Sequence, residues 1–198
     1  MLLAGSALVV KIAVGEAVLL GRSQGYEPDQ PIKFSHRIHA GENKINCVYC
    51  HTGVNDSRYA GIPPASLCLN CHNVIRSGTN TGKTEIDKIH QSVDSGTAIR
   101  WVKVHTLPDF VYFSHAQHVN VGKIQCKKCH GDVENMGRIQ QVSDLSMGWC
   151  IQCHRETNVN FDNKYYASYK QHKALESGKI SKVTAQDIGG NNCSKCHY

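Results

Sequence analysis

Cysteine and histidine carry the chemistry of this chain. Its ten cysteines fall into five pairs, each a Cys-x-x-Cys followed at once by histidine: Cys47/Cys50/His51, Cys68/Cys71/His72, Cys126/Cys129/His130, Cys150/Cys153/His154 and Cys193/Cys196/His197. No cysteine is left over. The spacing is the attachment signature of c-type haem, in which both thiols bond to the porphyrin vinyl groups and the adjacent imidazole takes the iron. Zinc ribbons also use paired knuckles, but they need them in twos and give no reason for a histidine after each one. A disulfide framework built from such pairs would close five tiny loops and link nothing distant. The expectation is five covalently attached haem c groups, with thioether bonds at all ten cysteines. His51, His72, His130, His154 and His197 are then the proximal iron ligands.

A second pattern lies ahead of two of these motifs. "FSHRIHAGENKINCVYCH" (Phe34 to His51) and "FSHAQHVNVGKIQCKKCH" (Phe113 to His130) share one frame: F-S-H-x-x-H, seven residues, then C-x-x-C-H. Haem iron has two axial positions, and the motif histidine fills only one. On a helical turn residues i and i+3 are neighbours, yet their side chains can splay toward two rings. A His-x-x-His pair can therefore serve two haems and set their spacing. The elements needed to position such ligands are short helices around each C-x-x-C-H, joined by long irregular connections with almost no sheet.

Composition agrees. Only 40% of the 198 residues are hydrophobic and 7% aromatic, which leaves little material for a side-chain core. Chains of this kind usually need disulfides, metals or cofactors to hold them. At roughly 40 residues for each haem, the porphyrins themselves would form the apolar interior. The formal charge of +6 falls to roughly +1 once ten propionates and five ferric porphyrin cores are counted, so basicity gives no reason to expect a nucleic-acid partner.

The first twenty residues, "MLLAGSALVVKIAVGEAVLL", are apolar apart from Lys11 and Glu16. Such a run suffices for one membrane crossing, since a helix rises about 1.5 Å per residue through roughly 30 Å of hydrocarbon. It lacks the basic lead and small-residue cleavage site of a signal peptide. Residues 1–21 are therefore read as an N-terminal membrane anchor. The two charges, costing on the order of 3 kcal/mol each in mid-membrane, call for partner subunits beside it. Residues 31–73 then form a two-haem module, 74–100 a polar connector with a short helix at Thr84 to Ser92, and 101–198 a three-haem module. The connector is read as a surface excursion and its His90 as solvent-facing.

The His-x-x-His strings resemble those of class III multihaem cytochromes. That resemblance implies that the first histidine ligates the haem just downstream and the second reaches a neighbour. Carried over, His36 serves the haem at Cys47/Cys50 and His115 the one at Cys126/Cys129. His39 and His118 reach those at Cys68/Cys71 and Cys150/Cys153. One distal ligand is left to find among Met147, His105, His172, His90 and Met136. Met147, just ahead of a motif in "LSMGWCIQCH", is the preferred choice, for the haem at Cys193/Cys196.

Taken whole, "QPIKFSHRIHAGENKINCVYCHTGV", "WVKVHTLPDFVYFSHAQHV", "CKKCHGDVENM", "LSMGWCIQCHRET" and "DIGGNNCSKCHY" are similar to the pentahaem cytochrome subunit of bacterial alternative complex III. The resemblance implies a non-catalytic subunit anchored in the inner membrane, with its haem domain on the periplasmic side. Its partners would be an iron-sulfur subunit and integral-membrane quinol-binding subunits. It would relay electrons from quinol to a monohaem cytochrome c or a terminal oxidase. Two other readings stay in view: a free periplasmic electron shuttle, and a multihaem reductase with one open iron.

Overall fold

A computed structural model describes residues 11, 14, 22–78, 81–166 and 169–197. The anchor expected over 1–21 lies outside these, save Lys11 and Val14. Among the described residues, no helix is long and apolar enough to cross a membrane. The architecture is irregular chain punctuated by short helices: α1 (Cys47–Cys50), α2 (Ala65–His72), α3 (Gly82–Ser95), α4 (Cys126–His130), α5 (Met147–Glu156), α6 (Lys170–Glu176) and α7 (Cys193–Cys196). No strand forms among the described residues; two isolated bridges, Val111 with His197 and Asn158 with Thr184, are all the sheet-like pairing there. Five of these seven helices carry the five C-x-x-C pairs.

The seven-residue spacing ahead of two motifs has a structural cause. In both repeats the chain after the first histidine winds as a π-helical turn, Arg37–Glu42 and Ala116–Val121. The turns close with Asn43 N–H donating to the Ile38 carbonyl at 3.1 Å and Gly122 N–H to the Gln117 carbonyl at 3.0 Å. Such turns are rare and occur mostly at functional sites. With about 4.4 residues per turn instead of 3.6, residues i and i+3 diverge by roughly 115° rather than roughly 60°. The second histidine is thereby swung well away from the first. The chain then reverses through a left-handed residue, Lys44 (φ 54°) or Lys123 (φ 55°), a conformation uncommon outside glycine. The recurring Lys-Ile of the sequence marks that reversal. Asn46 then caps α1 by accepting from Val48 N–H, a role Ser146 repeats for α5 and Asn192 for α7.

The two repeats interlock by exchanging equivalent contacts. The π-turn at 37–42 packs on the 3-10 turn Val133–Asn135, and the π-turn at 116–121 packs on the 3-10 turn Thr52–Asn55. Arg37 N–H donates to the Met136 carbonyl at 2.9 Å, and Ala116 N–H donates to the Ser57 carbonyl at 3.0 Å. Gly41 lies so close to the Glu134 carbonyl that a Cβ there would collide with it. At the matching place Asn120 donates to the Asn55 carbonyl at 3.0 Å. Residues 22–30 strap the second repeat: Gly25 and Tyr26 pair with Gln141, and Arg138 bridges Glu27 and Asp29.

Side-chain packing is thin. Among the described residues the buried apolar side chains are Ile32, Val54, Ile86, Ile89, Val104 and Val183. Six such residues are far too few to offset the ordering entropy of a chain this long, so the interior must be supplied otherwise. Two of the six belong to α3, inside the stretch read as a polar connector. This helix extends beyond the expected Thr84 to Ser92, ends at Gly96 in the left-handed region (φ 66°), and docks against α2. The buried Glu85 fastens it, accepting from Lys33 N–H and Lys88 Nζ at 2.8 Å each, while Lys88 also reaches the Pro31 carbonyl at 3.0 Å.

Burial alone would raise the Glu85 carboxyl pKa, but the Lys88 and Lys33 donors outweigh it and hold it below the usual carboxylate range. A lowered folded value contributes stability above the unfolded pKa of about 4.3, which is lost as pH falls below it. Glu85→Gln in the mature protein is expected to cost about 1–3 kcal/mol at pH 7 in denaturant unfolding. The deficit should shrink below about pH 4; one independent of pH would contradict the role given to the charge.

Candidate haem-binding sites

The described fold brings the sequence-predicted histidines together in facing pairs. Ring centres are 6.5 Å apart for His36 and His51, 6.1 Å for His39 and His72, 6.3 Å for His115 and His130, and 6.1 Å for His118 and His154. The first and third pairs are within 9° of parallel. Two imidazoles on opposite sides of one metal atom, each bonded at about 2 Å with the ring centre ~1.1 Å behind its nitrogen, put their centres roughly 6.3 Å apart. The observed gaps match that figure. At these distances one metal atom would fit between the two rings of each pair.

The opposite nitrogens support the same fit. His51 Nδ1 donates to the Gly61 carbonyl at 2.7 Å, His72 to Ile75 at 2.9 Å and His154 to Gly190 at 2.9 Å. On the other side, His39 donates to Ser35, His118 to Ser114 and His115 to Arg58, each at 2.8 Å. A carbonyl can only accept, so these Nδ1 atoms carry the proton and Nε2 keeps its lone pair, as metal-bound histidines are normally arranged. His36 Nδ1 is buried without a partner. Phe34 stacks on His39 (4.3 Å) and meets His36 edge-on (4.9 Å); Phe113 does the same for His118 (4.5 Å) and His115 (4.9 Å). The phenylalanine of each F-S-H-x-x-H thus braces both rings.

Burial favours the neutral form of three of these rings, His36, His118 and His130. Burial, with help from the rings of His51 and His39, pushes the His36 pKa down to about 4. Burial, then His105 and His115, does the same for His130. Burial also lowers His118 and His105. The thiols are the reverse of reactive: burial raises Cys47, Cys50, Cys68 and Cys150, and Cys129 to about 11. A dithiol redox motif would need the opposite shift.

The surroundings of the ten cysteines expected to carry thioether bonds are not equivalent. Cys47, Cys71, Cys126 and Cys193 are exposed, whereas Cys50, Cys68, Cys129, Cys150, Cys153 and Cys196 are half-buried. The second motif runs against three of the others, and in the fourth both cysteines are half-buried. In the motifs at Cys47, Cys126 and Cys193 the first cysteine is the exposed one, but in α2 it is the second, Cys71. The cause is local. Two further turns of α2 precede Cys71, and they half-bury Cys68 near Cys50. Cys71 stands in the last turn, where its carbonyl accepts from Val74 N–H at 3.1 Å and Ile75 N–H at 2.9 Å and the chain turns off the helix. Among the described residues no three His, Cys, Asp or Glu side chains converge as a metal-ion cage.

The fifth motif differs. Phe110, not a histidine, lies against His197, with ring centres 5.7 Å apart and planes 30° apart. Met147 heads α5 with its side chain 67% exposed. The other candidates are engaged elsewhere. His105 Nε2 meets His130 Nδ1 at 3.2 Å with the rings steeply crossed. His172 stacks on Phe161 at 4.6 Å, and Met136 sits half-buried at the repeat junction. His90, expected in solvent, is half-buried with Nε2 on the His72 carbonyl at 3.1 Å. It turns inward because Ile86 and Ile89 bury the same helix.

Over 167 residues, 74% of this chain and 78% of its counterpart, the sequence is 29% identical to "Menaquinone reductase, multiheme cytochrome c subunit" of Nitratidesulfovibrio vulgaris. These findings support a multihaem c-type cytochrome. No family model matches the chain. When bound, haem supplies a one-electron couple. The protein fixes most of the imidazole tautomers through backbone carbonyls and packs a phenylalanine against the face of one ring and the edge of the other in each F-S-H-x-x-H.

Two measurements check this arrangement. A free imidazole titrates near 6.5, so His36 and His130, held neutral down to about 4, stay competent ligands at pH 5. Ferric low-spin absorption should be unchanged from pH 7 to pH 5. Stability should be full above about 6.5 and decline as pH falls toward 4, because unfolding lets the rings protonate. Loss of the low-spin bands near pH 6.5 would contradict the burial. Separately, His105→Phe removes the acceptor from His130 Nδ1–H. Such a bond is worth about 0.5–1.5 kcal/mol, or roughly 20–60 mV for a one-electron couple. One midpoint potential should rise by that amount; uniform or absent shifts would contradict the contact.

Proposed function

We propose that this chain is a pentahaem c-type cytochrome that relays electrons within a quinone-linked respiratory complex. Haem c is attached at each of the five C-x-x-C-H motifs, Cys71 included. His36, His39, His115 and His118 are the distal ligands opposite His51, His72, His130 and His154. The observation that carries this reading is the set of four imidazole pairs spaced for one iron each. An iron with both axial positions filled by protein cannot take a substrate, so one-electron transfer is the chemistry left to it.

Met147 is proposed as the distal ligand for the Cys193/Cys196 site. It stands one helical turn before Cys150, whose thiol is close enough to Cys196 for the two to influence each other's ionisation. A His/Met site has a raised potential beside bis-His neighbours. The complex is proposed to be alternative complex III, with the chain anchored through residues 1–21 in the inner membrane and its haems on the periplasmic side. An iron-sulfur subunit and integral-membrane quinol-binding subunits would feed it, and a monohaem cytochrome c or terminal oxidase would accept its electrons. Support for the quinone link comes from the relative, which is named for a menaquinone reductase; support for the specific complex rests on the quoted strings.

A second reading has one observation in its favour. Phe110 against His197 would suit a five-coordinate iron, and hence a multihaem reductase. The two separate on one experiment: the protein purified in mild detergent from native membranes, with Met147→Leu alongside. The relay reading predicts co-eluting membrane subunits, haem reduction by menaquinol, a wholly low-spin ferric spectrum, and high-spin signal from one iron in five after Met147→Leu. High-spin iron already present in the unaltered protein would favour the reductase.

A further inference from the structure

The five sites can be ordered in space, an order that motif spacing leaves open. This inference rests on the haem reading above. The site of His51 adjoins that of His72, because His36 and His39 leave the same π-turn to face them and Asn70, two residues before His72, donates to Tyr49 Oη at 3.0 Å. The site of His130 adjoins that of His154 by the same device, through His115 and His118. The site of His154 adjoins that of His197, since His154 Nδ1 is held by the Gly190 carbonyl, three residues before Cys193.

The join between the repeats is the decisive one. The reciprocal packing of each π-turn on the other repeat's 3-10 turn sets the first motif of each repeat face to face. His115 Nδ1 is tied to the Arg58 carbonyl of the first repeat. Cys47 and Cys126 are near enough to influence each other's ionisation, although 79 positions separate them in the chain. The other thiols near enough to influence one another's ionisation follow the same sequence: Cys68 with Cys50, Cys129 with Cys153 and Cys150 with Cys196.

We infer that the sites form one unbranched row in the order His72, His51, His130, His154, His197. Every electron passing between the repeats then crosses at the Cys47–Cys126 junction. The two ends of the row are at His72 in α2 and at His197 after α7. The site with the odd axial ligand stands at one of those ends, where a raised potential would gather electrons for delivery.

A structure of the haem-loaded chain, in its complex or alone, measures the ten iron–iron separations. The four shortest must be the four successive pairs of this row, with the His51 and His130 irons among them. A short separation between the His72 and His130 irons, or between the His51 and His154 irons, in place of any of these overturns the order while leaving the relay reading intact. Haem missing from the motifs overturns both.

Discussion

The structure depends on imidazoles brought together in pairs, with ring centres 6.1–6.5 Å apart. Each ring is fixed from behind, most often by a backbone carbonyl that accepts from Nδ1, and by that bond it is committed to offering Nε2 forward. The elements around the rings serve this requirement. The π-turn spreads two histidines three residues apart toward different partners. The left-handed lysine returns the chain so that a capped one-turn helix brings the third imidazole opposite the first. Strain of about 1–3 kcal/mol at such a residue persists in both repeats because the reversal has to occur in that number of residues.

The same requirement accounts for what the fold lacks. Six buried apolar side chains among the described residues do not make a conventional core. Exposed Val48, Tyr49, Tyr112 and Ile75 lie along the motifs and the turns beside them. Flat apolar macrocycles placed at those motifs would cover such surfaces, which makes folding and loading a single process. What side-chain packing there is serves to fasten the scaffold: α3 through Ile86, Ile89 and Glu85, and the two repeats through their exchanged turns.

How much of this was readable beforehand varies by residue. The C-x-x-C-H spacing and the doubled F-S-H-x-x-H frame are local patterns, and the histidines they nominate lie in pairs with ring centres 6.1–6.5 Å apart. The near absence of sheet followed from composition. Other features depend on contacts between distant residues, which spacing does not encode. His105 looked like a rival ligand, but tertiary packing sets it behind His130. His90 sat in a polar run, yet two isoleucines on the same helix turn it inward. Cys71 shares its motif with four other second cysteines, yet its place in the last turn of a longer helix leaves it the exposed one. Phe34 and Phe113 recurred in frame, and that repetition was a usable signal for their bracing role. The spatial order of the sites depends on how the repeats cross, and no periodicity reports that.

The most direct test of the central claim is the intact mass of the mature chain together with its ferric spin state. The account predicts a mass exceeding the polypeptide by five covalently bound haems, with at least four irons low-spin and doubly ligated by imidazole. A chain of polypeptide mass alone, or one with haem attached but high-spin at the His51, His72, His130 and His154 sites, would contradict it.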